Sequence, residues 1–226
     1  MNLTLFDLDN TLLAGDSDHA WGQFLCDKGV VDRGQYEATN DRFYAQYKAG
    51  TLDMNAFLAF VLAPLAQRSR AELDALHEAF MRECIAPMIL PQGRELVARH
   101  LATGDLVAIV TATNAFVTAP IARAFGVHHL IATVPAQENG RFTGLGRGTP
   151  AFREGKIARV EGWLESMALS WNCFDVTSFY SDSLNDLPLL QRVTRPVAVD
   201  PDSTLREHAA AAGWPILTLR GAAGLA

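Results

Sequence analysis

The sequence predicts an α/β fold: a doubly wound parallel sheet with helices on both faces and a further block of helices inserted after the first strand. Three observations support this fold class. Short apolar runs have the length of buried strands, helical patterns separate several of them, and the segment between the first two runs far exceeds what a crossover needs. Strands that alternate with helices form right-handed crossovers, which place the strands parallel in one sheet.

The predicted strands are short, and most of them are apolar throughout. They comprise residues 3–6, 106–110, 176–180 and 196–199, with 215–219 as an edge strand. Runs of this kind are typical of strands that are buried on both faces. The helical patterns that separate them cover residues 93–101, 119–125, 156–167 and 183–191.

Residues 14–87 form the insert, and their pattern is largely helical. The predicted helices are residues 20–28, 35–49, 53–62 and 69–84, with breaks at Gly29, Gly34, Gly50 and Pro64. We therefore expect a core domain of residues 1–13 and 88–226. Residues 14–87 are expected to form an α-helical cap domain that lies as a lid over the functional crevice.

Composition argues against several classes of protein. The chain has 226 residues, 49% of them hydrophobic, and a formal net charge of −6, so we expect no nucleic-acid partner. Its three cysteines lie far apart, as is typical of reduced thiols in a cytoplasmic protein. Asp7 interrupts the first apolar run, unlike a signal peptide, and no run reaches the ~18 residues of a membrane span. We expect a soluble, cytoplasmic protein without membrane contacts.

Polar side chains follow the predicted strands at their carboxyl ends. In open α/β sheets, ligands bind in the crevice beyond these ends. We therefore expect side chains that are distant in sequence to meet there. They are Asp7, Asp9, Thr111, Asp182 and Asp186.

The first motif is Asp-Leu-Asp-Asn-Thr at residues 7–11, directly after a buried strand. Asp7 and Asp9 would repel each other in an apolar setting unless a cation or a proton lies between them. Mg²⁺ suits this environment, because it binds one or two carboxylates together with waters and a substrate phosphate. An Asp-rich turn with an Asn cap would also explain residues 9–11 without any catalysis.

The second motif is Ser-Asp-Ser-Leu-Asn-Asp at residues 181–186, which again follows a strand. Asp182 would bind the metal from the opposite side of the crevice, and Asn185 and Asp186 would orient the metal ligands. A capped helix start is the alternative explanation. It would account for one acidic residue, as the cap, but poorly for three polar residues together.

Two weaker signals remain. Thr111 and Ala112 lie between a strand and a helix, where a hydroxyl and free backbone N–H groups would bind an anion, although a plain helix cap is an equally good explanation. Lys156 begins an amphipathic helix, and taken alone it is typical of a solvated surface lysine.

Together these four segments resemble the motifs of the haloacid dehalogenase superfamily. D-x-D-x-T after one strand and a later S-D-x-x-N-D after another is the specific combination, and the motifs extend from Asp7 to Asp186. The sequence is most similar to the branch that contains phosphoserine phosphatase, whose helical cap lies between the first and second motifs. The resemblance implies a Rossmann-like core with an inserted cap. It also implies a Mg²⁺-dependent phosphatase that hydrolyses a small phosphorylated metabolite.

Residue by residue, the resemblance implies the following roles. Asp7 corresponds to the nucleophile that becomes an aspartyl phosphate, and Asp9 to the general acid that protonates the leaving alkoxide and then activates water. Thr111, with Ala112 beside it, would bind the phosphoryl group, whose charge Lys156 would neutralise.

The metal ligands implied by the resemblance are the Asp7 carboxylate, the backbone carbonyl of Asp9 and the Asp182 carboxylate. The physical argument agrees with these roles, because a carboxylate attacks a phosphate dianion only when metal and lysine screen both charges.

The cap departs from the phosphoserine phosphatase pattern. The place of a substrate-binding glutamate holds Asp16, and the region of a carboxylate-binding arginine has no Lys or Arg from residue 49 through residue 67. A substrate carboxylate would lose its bidentate partner, so we do not expect phosphoserine as the substrate. Asp16 and His19 are candidate substrate contacts. The cap also has many aromatic residues, most of which we expect in its core: Trp21, Phe24, Phe43, Tyr44, Tyr47, Phe57, Phe60 and Phe80.

Alternatives remain open at this point. A phosphotransferase or mutase would use the same aspartyl phosphate, and cap closure decides whether water reaches it. A dehalogenase is disfavoured because the full acidic set is present. A catalytically idle module of this fold would be expected to have lost Asp7, Asp9 or Lys156, and none is lost. The sequence leaves the oligomeric state and the choice among Mg²⁺, Mn²⁺ and Co²⁺ undecided.

Overall fold

The computed structural model describes residues 1–48 and 51–221. Within them, seven strands form one sheet in the order β4-β3-β2-β1-β5-β6-β7. The strands are β1 (Leu3–Phe6), β2 (Leu106–Asn114), β3 (His129–Glu138), β4 (Arg141–Arg147), β5 (Thr177–Ser181), β6 (Arg195–Val199) and β7 (Ile216–Leu217). All neighbouring pairs are parallel except β3 with β4. The predicted α/β class with a doubly wound sheet is confirmed.

Helices cover both faces of this sheet. Those of the insert are α1 (Ser17–Asp27), α2 (Arg33–Lys48), α3 (Met54–Ala66) and α4 (Arg70–Phe80), followed by a π-helical turn (Met81–Ile85). Those of the core are α5 (Ala86–Met88), α6 (Pro91–Ala102), α7 (Ala115–Ala124), α8 (Glu154–Ser166), α9 (Leu187–Arg192) and α10 (Ser203–Ala212). Residues 49 and 50, which end the second predicted cap helix and break the chain after it, lie outside the described residues.

Two hydrophobic clusters hold the layers together. One lies beneath α8, α9 and α10, where Val160, Leu189 and Leu205 pack against the strands. The other is shared between the sheet, α7 and the insert, and in it Trp21 of α1 stacks edge-on against Phe116 of α7 at 5.7 Å between ring centroids. The insert is therefore packed firmly onto the core at this end. The division into two domains with the boundaries given above stays a prediction.

Several helix boundaries differ from the predicted ones for local reasons. The helix predicted at 119–125 begins at Ala115, because the Asn114 side chain accepts a hydrogen bond from the Val117 N–H at 3.2 Å and caps it. Pro64, expected to be a break, lies inside α3, two residues before its end. A proline there removes only one backbone hydrogen bond of the helix.

The hairpin β3–β4 was not predicted. Its strands are joined at Asn139 and Gly140, both at positive φ, so an Asn-Gly turn signal was present in the sequence. Two glycines of β4 allow α3 of the insert to lie close against it. A Cβ at Gly144 would come within 3.3 Å of Ala66, and one at Gly146 within 3.3 Å of Leu58. The hairpin thus supports the insert from the core side.

Helix α10 was also missed, and its Ala209 and Leu205 are buried. The predicted edge strand is confirmed but shorter, since it covers only Ile216–Leu217. Among the described residues, no helix combines the length and apolar character needed to cross a bilayer. All three cysteines are free thiols, as expected from their spacing.

Candidate active site

All ten residues predicted for the site line one cavity of about 700 Å³ between the carboxyl edge of the sheet and the insert. Asp7 follows β1, Thr111 lies in β2 and Asp182 follows β5, and these three strands are neighbours. The fold therefore brings together side chains that are more than 100 residues apart. The ten residues are Asp7, Asp9, Asp16, His19, Thr111, Ala112, Lys156, Asp182, Asn185 and Asp186.

Lys156 lies at the floor of the cavity and is only 3% exposed. Its Nζ donates to Asp7 Oδ1 at 2.8 Å and to Asp186 Oδ2 at 2.7 Å. Burial alone would lower the pKa of this ammonium, but Asp186 and Asp7 outweigh burial and raise the pKa above its usual value. Lys156 is therefore a buried cation between two carboxylates and not a solvated surface residue.

The start of α8 is shaped to deliver Lys156 to this position. Arg153, just before the helix, has a φ of 50°, and the backbone of Gly155 lies close against the preceding turn. A Cβ at Gly155 would lie 2.2 Å from the Pro150 carbonyl oxygen. The chain thus enters the helix in a tight turn that only glycine allows at this contact.

Asp9 is held from three sides. It accepts hydrogen bonds from the Ser17 N–H at 2.6 Å, the Thr113 hydroxyl at 2.8 Å and the Thr111 hydroxyl at 3.3 Å. Burial and then the charge of Asp16 raise the pKa of Asp9 to about 6, while the hydrogen bonds oppose this rise. A carboxyl with its pKa near neutrality can both donate and accept a proton.

Asp7 and Asp182 lie on opposite sides of the Thr11 hydroxyl. Thr11 Oγ1 is 3.1 Å from Asp7 Oδ2 and 3.0 Å from Asp182 Oδ1, and it accepts the Asp182 N–H at 3.1 Å. Burial, opposed by Lys156, raises the pKa of Asp7 to about 7. Burial and the neighbouring Asp7 raise the pKa of Asp182 to about 8. The carboxylates here exceed the one ammonium group, so the site is suited to a further cation.

The donor set fits Mg²⁺. In the parts of the chain that the structure describes, no three His, Cys, Asp or Glu side chains form a complete metal cage. The predicted ligands are two carboxylates and the backbone carbonyl of Asp9. Mg²⁺ commonly binds through one or two carboxylates and completes its octahedron with waters and substrate phosphate oxygens. Two carboxylates on either side of one hydroxyl are consistent with that mode of binding.

The segment 111–114 lies at a strand end directly before a helix, as predicted, but the strand is longer than predicted. Thr111 and Ala112 were expected just before a helix N-terminus, but β2 continues to Asn114 and its register shifts between Thr111 and Asn114. The Thr111 hydroxyl accepts the Thr113 N–H at 3.1 Å and faces Asp9. The irregular end of β2 therefore lies beside the cavity, and α7 begins directly after it with Asn114 as its cap. Phosphate binding by Thr111 and Ala112 stays a prediction.

The second motif forms a compact network around Asp186. The Ser181 hydroxyl donates to Asp186 Oδ2 at 2.7 Å, and the same oxygen receives Lys156. Asn185 accepts a hydrogen bond from Arg153 Nε at 3.0 Å. Asp186 thus positions Lys156, and Asn185 fixes the turn that precedes α8.

Sequence reasoning assigned no role to several residues that the structure brings into the site. Thr11 and Ser181 belong to the quoted motifs, so their hydroxyls could have been assigned from them. Thr113 and Ser17 hold Asp9 through contacts that no spacing rule indicates. Asp18 also lines the cavity, and nothing in the linear sequence distinguished it from other first-turn acids.

On the cap side, Asp16 and His19 differ in their surroundings. Asp16 Oδ1 accepts the N–H groups of Asp18 and His19, both at 2.9 Å, and thus caps α1. The ring of His19 is exposed and lies 3.3 Å from the Asn40 amide nitrogen. Of the cap aromatics, Trp21, Phe24 and Phe80 are core residues as expected. Those that line the cavity are Phe43, Tyr44, Tyr47 and Phe57.

Comparison with known proteins identifies the family. The sequence matches the family model of haloacid dehalogenase-like hydrolases over residues 4–191, which includes all the motifs described above. The chain belongs to this family. The predicted resemblance is thereby confirmed.

Individual relatives agree with this assignment. A histidinol-phosphatase from Neisseria meningitidis is 47% identical over 220 residues, which cover 97% of this chain and 99% of the relative. A crystal structure of a protein of unknown function from Bordetella pertussis has a TM-score of 0.93 and 51% identity, with coverage of 96% and 98%. Substrate-bound phosphoserine phosphatase has a TM-score of 0.67 with coverage of 96% and 92%, and at 15% identity this likeness shows the fold alone.

The enzyme class predicted from the sequence is confirmed by these comparisons: the chain is a phosphatase of the haloacid dehalogenase type, a phosphoric monoester hydrolase. The Rossmann-like core with helices inserted after the first strand agrees with the phosphoserine phosphatase fold.

Proposed function

We propose that the protein hydrolyses histidinol phosphate, or a closely similar phosphate ester of an amino alcohol, through a phosphorylated Asp7. The observation that carries the chemistry is the buried contact of Lys156 with Asp7 at 2.8 Å, with Asp9 held rigidly two residues away. A carboxylate fixed by an ammonium group is positioned to attack phosphorus. Asp9, with a pKa of about 6, is suited to donate a proton to the leaving group.

The reaction has two displacement steps. In the first, an Asp7 carboxylate oxygen attacks phosphorus, the ester P–O bond breaks, and Asp9 gives its proton to the leaving alkoxide. In the second, Asp9 takes a proton from water, whose oxygen attacks the same phosphorus and releases inorganic phosphate from Asp7. Lys156 stabilises the negative charge of the phosphoryl group in both steps, and positioning together with charge stabilisation lowers the barrier.

The metal site of the proposal is Mg²⁺ at Asp7, the backbone carbonyl of Asp9 and Asp182. When bound, the ion would screen the charge of the phosphate oxygens against the Asp7 carboxylate. Thr11 keeps the two carboxylates at fixed positions through its hydroxyl. Asp186 holds the Lys156 ammonium group in position. In this proposal Asp7 contacts both Lys156 and the metal ion.

The substrate assignment rests on the relative and on the charge of the cavity. Histidinol phosphate carries an amine and an imidazole but no carboxylate. Among the described residues that line the cavity, Lys156 is the single Lys or Arg, and it is already engaged with Asp7 and Asp186. Among these described residues, a substrate carboxylate would find no Lys or Arg on the cap side. The amine and the imidazole of histidinol phosphate require no such partner.

The test is release of inorganic phosphate by the purified protein from histidinol phosphate, phosphoserine and an aryl phosphate, with Mg²⁺ and with a chelator. We expect Mg²⁺-dependent turnover, with histidinol phosphate preferred over phosphoserine. Asp7→Asn should abolish turnover while the protein stays folded, because the side-chain volume is unchanged and Lys156 keeps its contact with Asp186 at 2.7 Å.

Each arm of this test can contradict the proposal separately. Wild-type activity in Asp7→Asn would refute the nucleophile. Turnover of the aryl phosphate without turnover of histidinol phosphate would refute the substrate while leaving the chemistry intact. Undiminished turnover in the chelator would refute the metal requirement.

A further inference from the structure

The lining of the cavity differs between its floor and the side formed by the insert. Lys156 lies at the floor, and aspartates line the side formed by the insert. Those of the insert are Asp16, Asp18 and Asp41. None of the described cavity residues on that side is a Lys or Arg. A ligand that spans the cavity with its phosphate at Lys156 therefore places its other end against carboxylates.

The three aspartates are not equivalent. Asp16 caps α1 and receives two backbone N–H groups through Oδ1. Asp41 is exposed on α2. Asp18 is mostly buried, and its carboxylate forms no hydrogen bond or ion pair with any residue that the structure describes. Burial, and then the charges of Asp16 and Asp9, raise the pKa of Asp18 well above its usual value. A cation beside Asp18 would relieve that repulsion.

Asp18 also lies on the side of the cavity where the leaving alcohol of the substrate would bind. Asp9, which would protonate the leaving oxygen, accepts the N–H of Ser17 at 2.6 Å, so the first turn of α1 passes directly beside the leaving group. In histidinol phosphate the amine is attached to the carbon next to the ester carbon. The ammonium group therefore stays close to the leaving oxygen and to the helical turn that carries Asp18.

We propose that the Asp18 carboxylate binds the ammonium group of the substrate and makes the cavity selective for cationic leaving alcohols. This inference rests on the proposed function and assigns a specificity residue within the same cavity. The resemblance to phosphoserine phosphatase points to Asp16 for an amine contact, but one oxygen of Asp16 is used as the helix cap. The Asp18 carboxylate has no such partner among the described residues, so both of its oxygens are available to the ligand.

The experiment compares Asp18→Asn with wild type on two substrates. Histidinol phosphate carries the ammonium group, and p-nitrophenyl phosphate does not. We expect kcat/KM for histidinol phosphate to fall on the order of tenfold to a hundredfold, mainly through KM, as for loss of a charge-assisted hydrogen bond. For p-nitrophenyl phosphate we expect a change of less than about threefold, because that substrate has no group for Asp18.

Matched controls separate charge recognition from indirect effects. Asp41→Asn removes an exposed carboxylate of the same cavity and should change the ratio of the two kcat/KM values by less than about threefold. Asp18→Ser provides a second variant if the first unfolds, and it should shift the ratio in the same direction. L-Histidinol should inhibit p-nitrophenyl phosphate hydrolysis by wild type and inhibit Asp18→Asn at least several-fold more weakly.

An equal loss on both substrates in Asp18→Asn would overturn the inference, because Asp18 would then act through Asp9 or through folding. Unchanged kcat/KM values for both substrates would overturn it as well. Failure of the proposed function has a different signature, since it is seen in wild type as absence of histidinol phosphate turnover, whereas failure of this inference is seen only in the variants.

Discussion

Replacing Lys156 by Met tests how the site is held together. The substitution keeps most of the side-chain volume but removes an ammonium group that is 3% exposed and lies 2.8 Å from Asp7 and 2.7 Å from Asp186. Both carboxylates then stay buried without their cation. Breaking a buried ion pair from one side costs about 3–5 kcal/mol, because a charge is left uncompensated.

The expected loss is therefore about 3–5 kcal/mol in the free energy of unfolding. For a chain of 226 residues this corresponds to roughly 6–20 °C in the unfolding temperature, at about 2–4 °C per kcal/mol. The assay is urea and thermal unfolding monitored by circular dichroism in the presence of a chelator, so that no divalent ion replaces the ammonium group. Turnover of every substrate should be lost as well.

Two further proteins make the test specific. Adding Asp186→Asn to Lys156→Met removes one of the two stranded charges and should recover part of the lost stability. Lys28→Met removes an exposed ammonium group 2.8 Å from Glu83 and should cost no more than about 1 kcal/mol. A loss below about 1 kcal/mol in Lys156→Met, or a double variant less stable than the single one, would refute the reasoning.

Two other predictions concern the stability of the folded protein. Gly155→Ala should destabilise the protein by about 1–3 kcal/mol in urea unfolding, because the added Cβ would lie 2.2 Å from the Pro150 carbonyl oxygen. In the same helix, a Cβ at Gly162 meets nothing within 4 Å, so Gly162→Ala should stabilise the protein by up to about 1 kcal/mol. Equal effects of the two substitutions would contradict the steric argument. Burial lowers the pKa of His77 below the ordinary value of 6.5, so the folded state binds its proton less readily than the unfolded state, despite a contact of 2.9 Å with the Val117 carbonyl oxygen. The stability that neutral His77 contributes is complete above pH 6.5 and is lost as the pH falls through the folded pKa, with Arg123 opposing and Asp74 favouring protonation. The unfolding temperature of His77→Gln should therefore depend less on pH below 6.5 than that of wild type, and parallel curves for the two proteins would show that His77 does not titrate in this way.

The sequence by itself determined the parallel strands around the site and the polar residues at their ends. Short apolar runs followed by Asp7, Thr111 and Asp182 predicted parallel strands whose ends meet, and the structure places all three in one cavity. Such information is local, because strand length, burial pattern and the polar residue at the strand end all lie within a few positions of each other. The helical nature of the insert was predictable for the same reason.

Element boundaries and the hairpin depended on less regular signals. Asn114, rather than Pro120, sets the start of α7, since a side-chain cap competes with the preference of proline for the first helical turn. The Asn139–Gly140 turn was present as a signal, but an antiparallel pair beside a parallel sheet was not expected from the alternation of strands and helices.

Only the tertiary structure decided the surroundings of the individual polar residues. Lys156 looks like a surface lysine in the sequence, and burial between Asp7 and Asp186 turns it into the cation of the site. The sequence indicated Asp16 and not Asp18 as a substrate contact. In the structure Asp16 caps a helix, whereas the Asp18 carboxylate forms no hydrogen bond or ion pair with the described residues. Charge interactions depend on distance and desolvation, which chain folding sets across more than 100 residues and which no local spacing encodes.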